Sequence, residues 1–219
     1  MATRLVLAEL VAAYEERTGR RVEIESVGGV DAARRVQAGE PFDVVILASD
    51  AIDKLGSSGH VAAGSRRDVV RSGVAVAVRA GAPHPDIGTE EALKRAVLAA
   101  SSICLSTGPS GVQLAKLFER WGIAEEIRRR MVQAPPGVPV GSLVARGDVQ
   151  LGFQQLSELL HLDGIDVLGP LPEPVQIVTT FSAALCAASS RADDVQALMD
   201  ELVAPAAAAT KQRHGMAPA

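Results

Sequence analysis

Three short segments of the sequence could present backbone N–H groups to a small anion. Each combines glycine or a hydroxyl residue with the predicted start of a helix. The first N–H groups of a helix have no partner within the helix, and the helix dipole favours negative charge there. The segments are therefore candidate binding sites for an oxyanion or a carboxylate. They are Gly28, Gly29 and Val30; Thr107, Gly108, Pro109, Ser110 and Gly111; and Gly137 and Val138.

Each of these segments also has a purely structural interpretation. The residues from Gly28 to Val30 could equally form a mere turn. In the segment from Thr107 to Gly111 a hydroxyl, free amides and a helix start coincide, so binding is favoured over simple capping of the helix by Ser110. Gly137 and Val138 follow Pro135 and Pro136, and here a loop shaped by the prolines is favoured over a helix entry that binds ligand.

Two further pairs of residues lie at predicted strand ends. Ala48 and Ser49 end a buried strand at its carboxyl edge, where open α/β sheets bind ligands. Capping of the following helix explains this pair equally well. Gln154 and Gln155 end a short strand, and each amide can both donate and accept. Because side chains alternate along a strand, we expect one glutamine to face the ligand and the other to point away.

Arg71 and Ser72 precede a predicted strand and form the last candidate pair. The planar guanidinium of Arg71 could bind a carboxylate with two parallel hydrogen bonds. A solvent-exposed ion pair between Arg71 and Asp68 is the favoured alternative.

The sequence shows no catalytic constellation, so catalytic residues stay unassigned. The four histidines lie in separate segments, and Ser110 has no nucleophile elbow around it. Cys104 and Cys186 lack the spacing of metal ligands and are predicted to be buried free thiols. We therefore expect neither a metal nor a cofactor.

Composition narrows the class of partner. The 219-residue chain has a formal net charge of -4 and only 3% aromatic residues, which argues against nucleic-acid binding. Its apolar stretches fall short of the roughly 20 residues of a membrane-spanning helix, so no membrane insertion is expected. Acidic residues interrupt the N-terminal apolar stretch, and no export signal is visible.

The order of predicted elements indicates an α/β protein with mostly parallel sheets. A helix ends at Thr18-Gly19, and the alternating segment RRVEIESV predicts a strand after it. Two proline-rich turns mark crossings between two lobes. Lobe 1 is predicted to comprise residues 1–81 and 175–219, and lobe 2 residues 82–174, with the ligand in the cleft between them.

Four segments together resemble the molybdate-type solute-binding proteins of ABC transporters. The resemblance implies a two-lobed type II periplasmic binding fold with two crossover strands. It also implies capture of a small anion by lobe closure, an ABC permease as partner, a monomer, and a periplasmic or extracytoplasmic location. The segments are LAELVAAYEERTGRRVEIESVGG, AARRVQAGEPFDVVILASD, CLSTGPSGVQLAKLFERWGI and LMDELVAPAAAATKQRHGM.

The sequence departs from this family in three places. By the resemblance, we expect the first strand of the family to be missing before the first helix, as it would be after a miscalled start, a truncation or the omission of a leader. Gly28-Gly29-Val30 replaces a segment with a ligand-binding serine, and Gln155 replaces a ligand-binding tyrosine. These replacements move the expected ligand from molybdate towards a carboxylate. The alternatives are an isomerase on this scaffold, acting on a tricarboxylate such as aconitate, and a cytosolic regulator or degenerate binding domain.

Overall fold

A computed structural model describes residues 2–135 and 137–219. Helices and strands are numbered separately in chain order. The helices are α1 Arg4–Thr18, α2 Gly29–Gln37, α3 Ser49–Ser57, α4 Glu90–Ala99, α5 Pro109–Arg120, α6 Ala124–Ile127, α7 Val140–Arg146, α8 Leu156–Leu159, α9 Ala192–Val203 and α10 Ala208–Arg213. The strands are β1 Val44–Ala48, β2 Arg67–Arg79, β3 Ile103–Leu105, β4 Met131–Gln133, β5 Leu151–Gln155, β6 Ile165–Pro170, β7 Val178–Leu185 and β8 Ala217–Pro218.

The chain divides into two compact units. Unit 1 comprises the chain up to Ser72 together with Thr179–Ala219, and unit 2 comprises Gly73–Val178. The lobe boundaries predicted from the sequence lie after residues 81 and 174 instead. The assignment of residues to two lobes stays a prediction. Among the described residues, no helix is both long and apolar enough to cross a bilayer.

Unit 1 packs helices against antiparallel strand pairs. Strand β1 pairs with β7, and the first part of β2 pairs with β8. Helix α1 buries Val6, Leu10 and Tyr14 in a core that includes residues of α9. This spacing places the three side chains on one helix face. The helix ends as predicted at Gly19, whose φ of 69° is the left-handed conformation that glycine adopts at low cost.

The predicted strand RRVEIESV is wrong, because residues 19–28 form no ladder in the structure. The Val22 N–H instead donates to Glu15 Oε1 at 2.7 Å. The side chains of Ile24 and Val27 are 40% and 36% exposed. Alternating side chains favour an extended chain, but a strand also needs a hydrogen-bonded neighbour, and no described strand pairs with this segment.

Unit 2 contains a mixed sheet. Strands β4, β3 and β5 lie side by side and parallel, and β5 pairs antiparallel with the second part of β2. Strand β6 also pairs antiparallel with β2. The core of unit 2 includes Phe118 of α5, whose ring meets that of Phe153 of β5 edge-on with the ring centroids 6.0 Å apart.

The expectation of mostly parallel sheets is wrong for the described strand pairs. Only the two pairs made by β3 are parallel, whereas the pairs made by β2 in both units are antiparallel. Strand β2 is long and contributes residues to both units. Strand β4 was also not predicted. Helix α6 ends before it, and a 3-10 turn over Arg128–Arg130 lies between the two.

Candidate anion-binding site

One edge of the unit 2 sheet brings three of the predicted segments together. Strands β4, β3 and β5 are parallel neighbours, with Ile103 opposite both Met131 and Leu151. Their carboxyl ends therefore lie at the same edge, the part of an α/β sheet where ligands usually bind. The chain leaving this edge forms the segment Thr107–Gly111 after β3, Gly137 and Val138 after β4, and Gln154 and Gln155 at the end of β5.

The segment after β3 forms a tight turn into α5. Gly108 is the N-cap, and Pro109 occupies the first helical position. A Cβ at Gly111 would overlap the carbonyl oxygen of Ser106 and lie 2.9 Å from its carbonyl carbon. Only glycine therefore allows the first turn of α5 to approach the end of β3 so closely.

This turn also collects polar groups. The Ser106 and Ser110 hydroxyls lie 3.3 Å apart, and Ser110 is only 4% exposed. The N–H groups of Gly111 and Val112 donate to the Gly108 carbonyl at 3.0 and 3.3 Å. No described hydrogen bond uses the Ser110 N–H, so the start of this 12-residue helix keeps a donor available.

Two details of the sequence prediction change at this turn. Ser110 does not cap the helix, because Gly108 is the N-cap and no side-chain capping bond is made. The simple capping alternative is therefore wrong. Ser106 was not singled out from the sequence, although it directly precedes Thr107 in the same hydroxyl-rich run.

The segment after β4 is a loop, as its structural interpretation predicted. Gly137 has a φ of 78°, and the Val138 N–H donates to the Pro135 carbonyl at 3.0 Å. Pro136, named in the prediction, lies outside the described residues. The less favoured alternative, a helix entry at Gly137 and Val138, is wrong, because α7 begins after Pro139. Since Val138 already donates within the loop, its N–H is not a free ligand donor.

The two glutamines at the end of β5 are both buried, at 3% and 4% exposure. Gln154 Oε1 accepts a hydrogen bond from the Gly141 N–H at 3.2 Å, so it occupies the start of α7. Which glutamine faces a ligand stays a prediction.

Glu158 is a functional candidate that the sequence analysis missed. It lies on α8, directly after the carboxyl end of β5, and its side chain is partly buried. Burial, the largest cause acting on this carboxyl, raises its pKa. The signal in the sequence is weak, since it consists of a single acid in a short helix that directly follows a strand.

The remaining candidates belong to unit 1. Gly28 is the N-cap of α2, and its carbonyl accepts from the Ala32 N–H at 2.9 Å. Val30 is 80% exposed. A Cβ at Gly29 would make only an ordinary contact with Leu47, at 3.7 Å. Close packing therefore does not require glycine at Gly29.

Ala48 and Ser49 lie at the start of α3, where Ala48 is the N-cap. The Ser49 hydroxyl donates to the Thr180 carbonyl at 3.0 Å and lies 2.8 Å from the Ser182 hydroxyl. Ser182 in turn donates to Asp68 at 2.6 Å. Ser49 makes no capping bond, so the simple cap is wrong and its hydroxyl instead links α3 to β7.

Arg71 and Ser72 lie side by side on β2, where neighbouring side chains point to opposite faces. Arg71 is exposed, and its Nε donates to the Pro218 carbonyl at 3.1 Å. The expected ion pair of Arg71 with Asp68 is wrong, because Arg66 pairs with Asp68 at 2.9 Å. Ser72 is buried, and its hydroxyl has no hydrogen-bond partner among the described residues.

The two cysteines are free and buried, as predicted. Burial raises the pKa of the thiols of Cys104 and Cys186 to about 11, so both are inert thiols near neutral pH. In the part of the chain that the structure describes, no group of three or more His, Cys, Asp or Glu side chains could hold a metal ion.

Comparison with known proteins identifies the family. A model described as bacterial extracellular solute-binding protein matches residues 1–217. The chain belongs to this family. The resemblance to molybdate-type periplasmic binding proteins is confirmed, and so is the two-lobed α/β fold class that it implied.

Two relatives in sequence and one solved structure are similar to this chain. An aconitate isomerase of a Pseudomonas species is 40% identical over 97% of this chain and 83% of its own length. The molybdate-binding protein ModA of Azotobacter vinelandii is 27% identical over 95% of this chain and 84% of its own length. The solved periplasmic molybdate-binding protein of Azotobacter vinelandii superposes with a TM-score of 0.80 at 20% identity, covering 98% of this chain and 95% of that one.

Proposed function

We propose that this chain captures a small organic anion at the carboxyl edge of β4, β3 and β5 in unit 2. The observation that carries the proposal is the start of α5. There the Ser110 N–H is available, with the hydroxyls of Ser106 and Ser110 beside it and that of Thr107 in the same turn. Such donors suit an anion because they meet its charge with fixed dipoles.

A carboxylate ligand is favoured over molybdate. By the family resemblance, Gly28-Gly29-Val30 and Gln155 replace a serine and a tyrosine that molybdate-type sequences carry. The relative named for a tricarboxylate, aconitate, is 40% identical to this chain, whereas the molybdate-binding relative is 27% identical. We therefore propose a tricarboxylate or a related organic acid as the ligand.

Membership of the solute-binding family supports two further parts of this proposal. The chain would act outside the cytoplasm and pass its ligand to an ABC permease. The family resemblance also predicts that two lobes close on the ligand, and this part stays a prediction.

Isomerisation of the bound tricarboxylate is a second candidate function. It is favoured by the 40% identical relative, which is named an aconitate isomerase. It also gains support from Glu158, a partly buried carboxyl that directly follows the end of β5, because an isomerase of this kind needs a base and the sequence alone offered none.

Titration calorimetry tests the capture of a carboxylate. Purified protein is titrated with trans-aconitate, cis-aconitate, citrate, molybdate, tungstate and sulfate. We expect heat with at least one tricarboxylate and weaker or no heat with the three inorganic anions. Absence of heat with every anion, on protein shown to be folded by circular dichroism, would overturn the proposal, and preferential binding of molybdate would overturn the choice of ligand.

A pair of variants locates the site. Ser110→Ala removes a hydroxyl from the start of α5, and losing one hydrogen bond of about 1.4 kcal/mol weakens binding about tenfold. Ser57→Ala is the matched control, because that exposed hydroxyl only bonds the carbonyl of Asp53 in its own helix, at 2.9 Å. Equal affinities of the two variants would place the anion elsewhere.

A further inference from the structure

An open cavity lies beside α5 in unit 2. It has a volume of about 270 Å³, and every residue that lines it belongs to unit 2. Helix α5 contributes four lining residues, and the segment between β6 and β7 contributes four more. None of them belongs to the turn at Thr107–Gly111, so the cavity is a separate candidate site. The lining residues are Gln113, Lys116, Leu117 and Arg120 of the helix and Pro174, Val175, Gln176 and Ile177 of the segment.

The four helix residues form one stripe along α5. Their spacing of three and four residues places the side chains on the same face of the helix. Lys116 and Arg120 lie four residues apart, so their positive charges are neighbours on this face. Like charges at this spacing repel each other and destabilise a helix. An anion bound between Lys116 and Arg120 would offset this repulsion.

The protein itself compensates these two charges only weakly. Among the described residues, Lys116 has no ion-pair or hydrogen-bond partner. Arg120 pairs with Glu90 at 3.8 Å, and the Arg120 side chain is 62% exposed, so this ion pair contributes little. None of the described residues that line the cavity is acidic. The cavity therefore presents a positive lining to solvent, although the chain as a whole has a net charge of -4.

Two glutamines add neutral donors to this lining. The Gln176 Oε1 accepts from the N–H groups of Val74 and Ile177 at 3.1 and 2.8 Å, which fixes the orientation of the amide. Its Nε2 donates to the Leu171 carbonyl at 3.4 Å, and an amide nitrogen carries two hydrogens. The second hydrogen stays available to a ligand. Gln113 is exposed and brings another amide to the same cavity.

The rest of the lining is apolar. Leu117 and Val175 are only 5% and 4% exposed and belong to the core of unit 2, and Ile177 packs against that core. Covering apolar surface favours binding roughly in proportion to the area removed from water. The cavity lies just below the range of about 300–1,000 Å³ that is typical of ligand pockets, which favours a small ligand. A fitting ligand combines a negative head with a short apolar body.

We infer that this cavity binds a small monocarboxylate with a short aliphatic chain. The carboxylate lies between Lys116 and Arg120 and accepts from the amide of Gln176, while the chain covers Leu117 and Val175. The inference does not depend on anion capture at the turn that begins α5, because the two sites share no residue.

Trp121 supplies a local reporter of this site. It is the single tryptophan of the chain and directly follows Arg120. Its indole N–H donates to Glu90 Oε1 at 2.6 Å, and the same oxygen lies 3.8 Å from the Arg120 guanidinium. A carboxylate that draws Arg120 away from Glu90 changes the electrostatic surroundings of the indole N–H. Its single resonance in a proton–nitrogen correlation spectrum should therefore shift.

The full chain is titrated with hexanoate, hexanamide and acetate while this resonance is followed. We expect a saturable shift with hexanoate and none with hexanamide, which has the same chain without the charge. Acetate should bind at least about tenfold more weakly, because it lacks four methylene groups and each buried one strengthens binding about fourfold. Equal affinities for hexanoate and hexanamide would overturn the role of the two cations.

Four variants locate the ligand, each checked for folding by circular dichroism. Lys116→Gln and Arg120→Gln should each weaken hexanoate binding about fivefold, because each removes one charged donor. Arg95→Gln removes an exposed charge of α4 outside the cavity and is the matched control. Ser110→Ala changes the start of α5 and should leave the affinity for hexanoate as it is. Calorimetry supplies these affinities, since Arg120→Gln itself alters the surroundings of the reporter indole.

The remaining outcomes separate this inference from the proposed function. No saturable shift with hexanoate up to about 10 mM, on folded protein, would overturn the inference. Equal affinities of the Lys116, Arg120 and Arg95 variants would overturn it as well. A loss of affinity confined to Ser110→Ala would place the monocarboxylate at the turn and also contradict it. Binding of hexanoate by a chain that binds no tricarboxylate would overturn the proposed function alone.

Discussion

Replacing Gly111 by alanine should be the most damaging small change at the candidate site. The new Cβ would overlap the carbonyl oxygen of Ser106 and lie 2.9 Å from its carbonyl carbon, and both are backbone atoms that cannot rotate away. Either the start of α5 or the end of β3 must move. Forcing extra volume into a packed site costs typically about 1–3 kcal/mol, and a clash with backbone belongs at the upper end, so we expect a loss of about 3 kcal/mol.

The matched control is Gly108→Ala, in the same turn. A Cβ there would lie 3.7 Å from the Ser106 hydroxyl, which is an ordinary contact, and the backbone of Gly108 is extended and accessible to alanine. We expect this variant to lose only about 1 kcal/mol, because alanine is a poorer N-cap than glycine but its Cβ meets no backbone atom.

Urea denaturation measures both free energies of unfolding. The chain has a single tryptophan, Trp121, which lies at the end of α5 with its ring 5.8 Å from that of Phe118, so its fluorescence reports on unit 2. Gly111→Ala should also weaken anion binding, since the Ser110 N–H lies in the displaced turn. Similar free energies for the Gly111 and Gly108 variants would refute the reasoning about close approach.

Two further predictions concern packing and acid stability. Gly152→Ala would place a Cβ 2.5 Å from a methyl of Val144 and 2.9 Å from one of Val140, so α7 must move off β5, and urea denaturation should show a loss of about 1–3 kcal/mol; an unchanged midpoint would contradict this packing. The hydrogen bond from Ser182 lowers the pKa of Asp68 in the folded protein, and Arg66 adds to this effect. The ionised Asp68 therefore stabilises the fold at any pH above the pKa that this carboxyl has in the unfolded chain. This stabilisation is lost as the pH falls through the lower pKa of the folded protein. Ser182→Ala should therefore destabilise the protein at pH 7. On acidification to about pH 3, which is below the ordinary pKa of an aspartate, the variant should lose less stability than the parent chain. Curves of stability against pH that run parallel for the two proteins would count against this role of Asp68.

The fold was predictable where local patterns and tertiary structure agree. Helix α1 has apolar residues on one face and a glycine after its last turn, and it forms as predicted. The segment RRVEIESV has an equally clear alternation but forms no strand, because pairing depends on a neighbour that lies elsewhere in the chain. Strand β4 was missed for the opposite reason. Its three exposed residues carry no burial pattern, and it is defined only by its bonds to β3.

The candidate site was predictable only in part. Glycine and hydroxyl residues at a helix start marked the segment from Thr107 to Gly111 before its geometry was known. The raised pKa of Glu158 could not be inferred from the sequence, because it depends on burial in the folded chain. Ser49 shows the converse case. Its type and position suited a ligand, yet the structure uses its hydroxyl to join α3 to β7.

The way the edge of unit 2 is assembled has a consequence for how new specificities could arise. The segments that follow β3, β4 and β5 are separated along the chain by helices and loops, yet the parallel strands deliver them to one place. Substitutions in one segment can therefore alter the shape or polarity met by an anion while the other two, and the sheet beneath, are inherited unchanged. Gly111 is the exception, because its contact with Ser106 ties loop and strand together. Related proteins could thus acquire specificity for a different anion through substitutions at exposed positions such as Thr107, while Gly111 is kept.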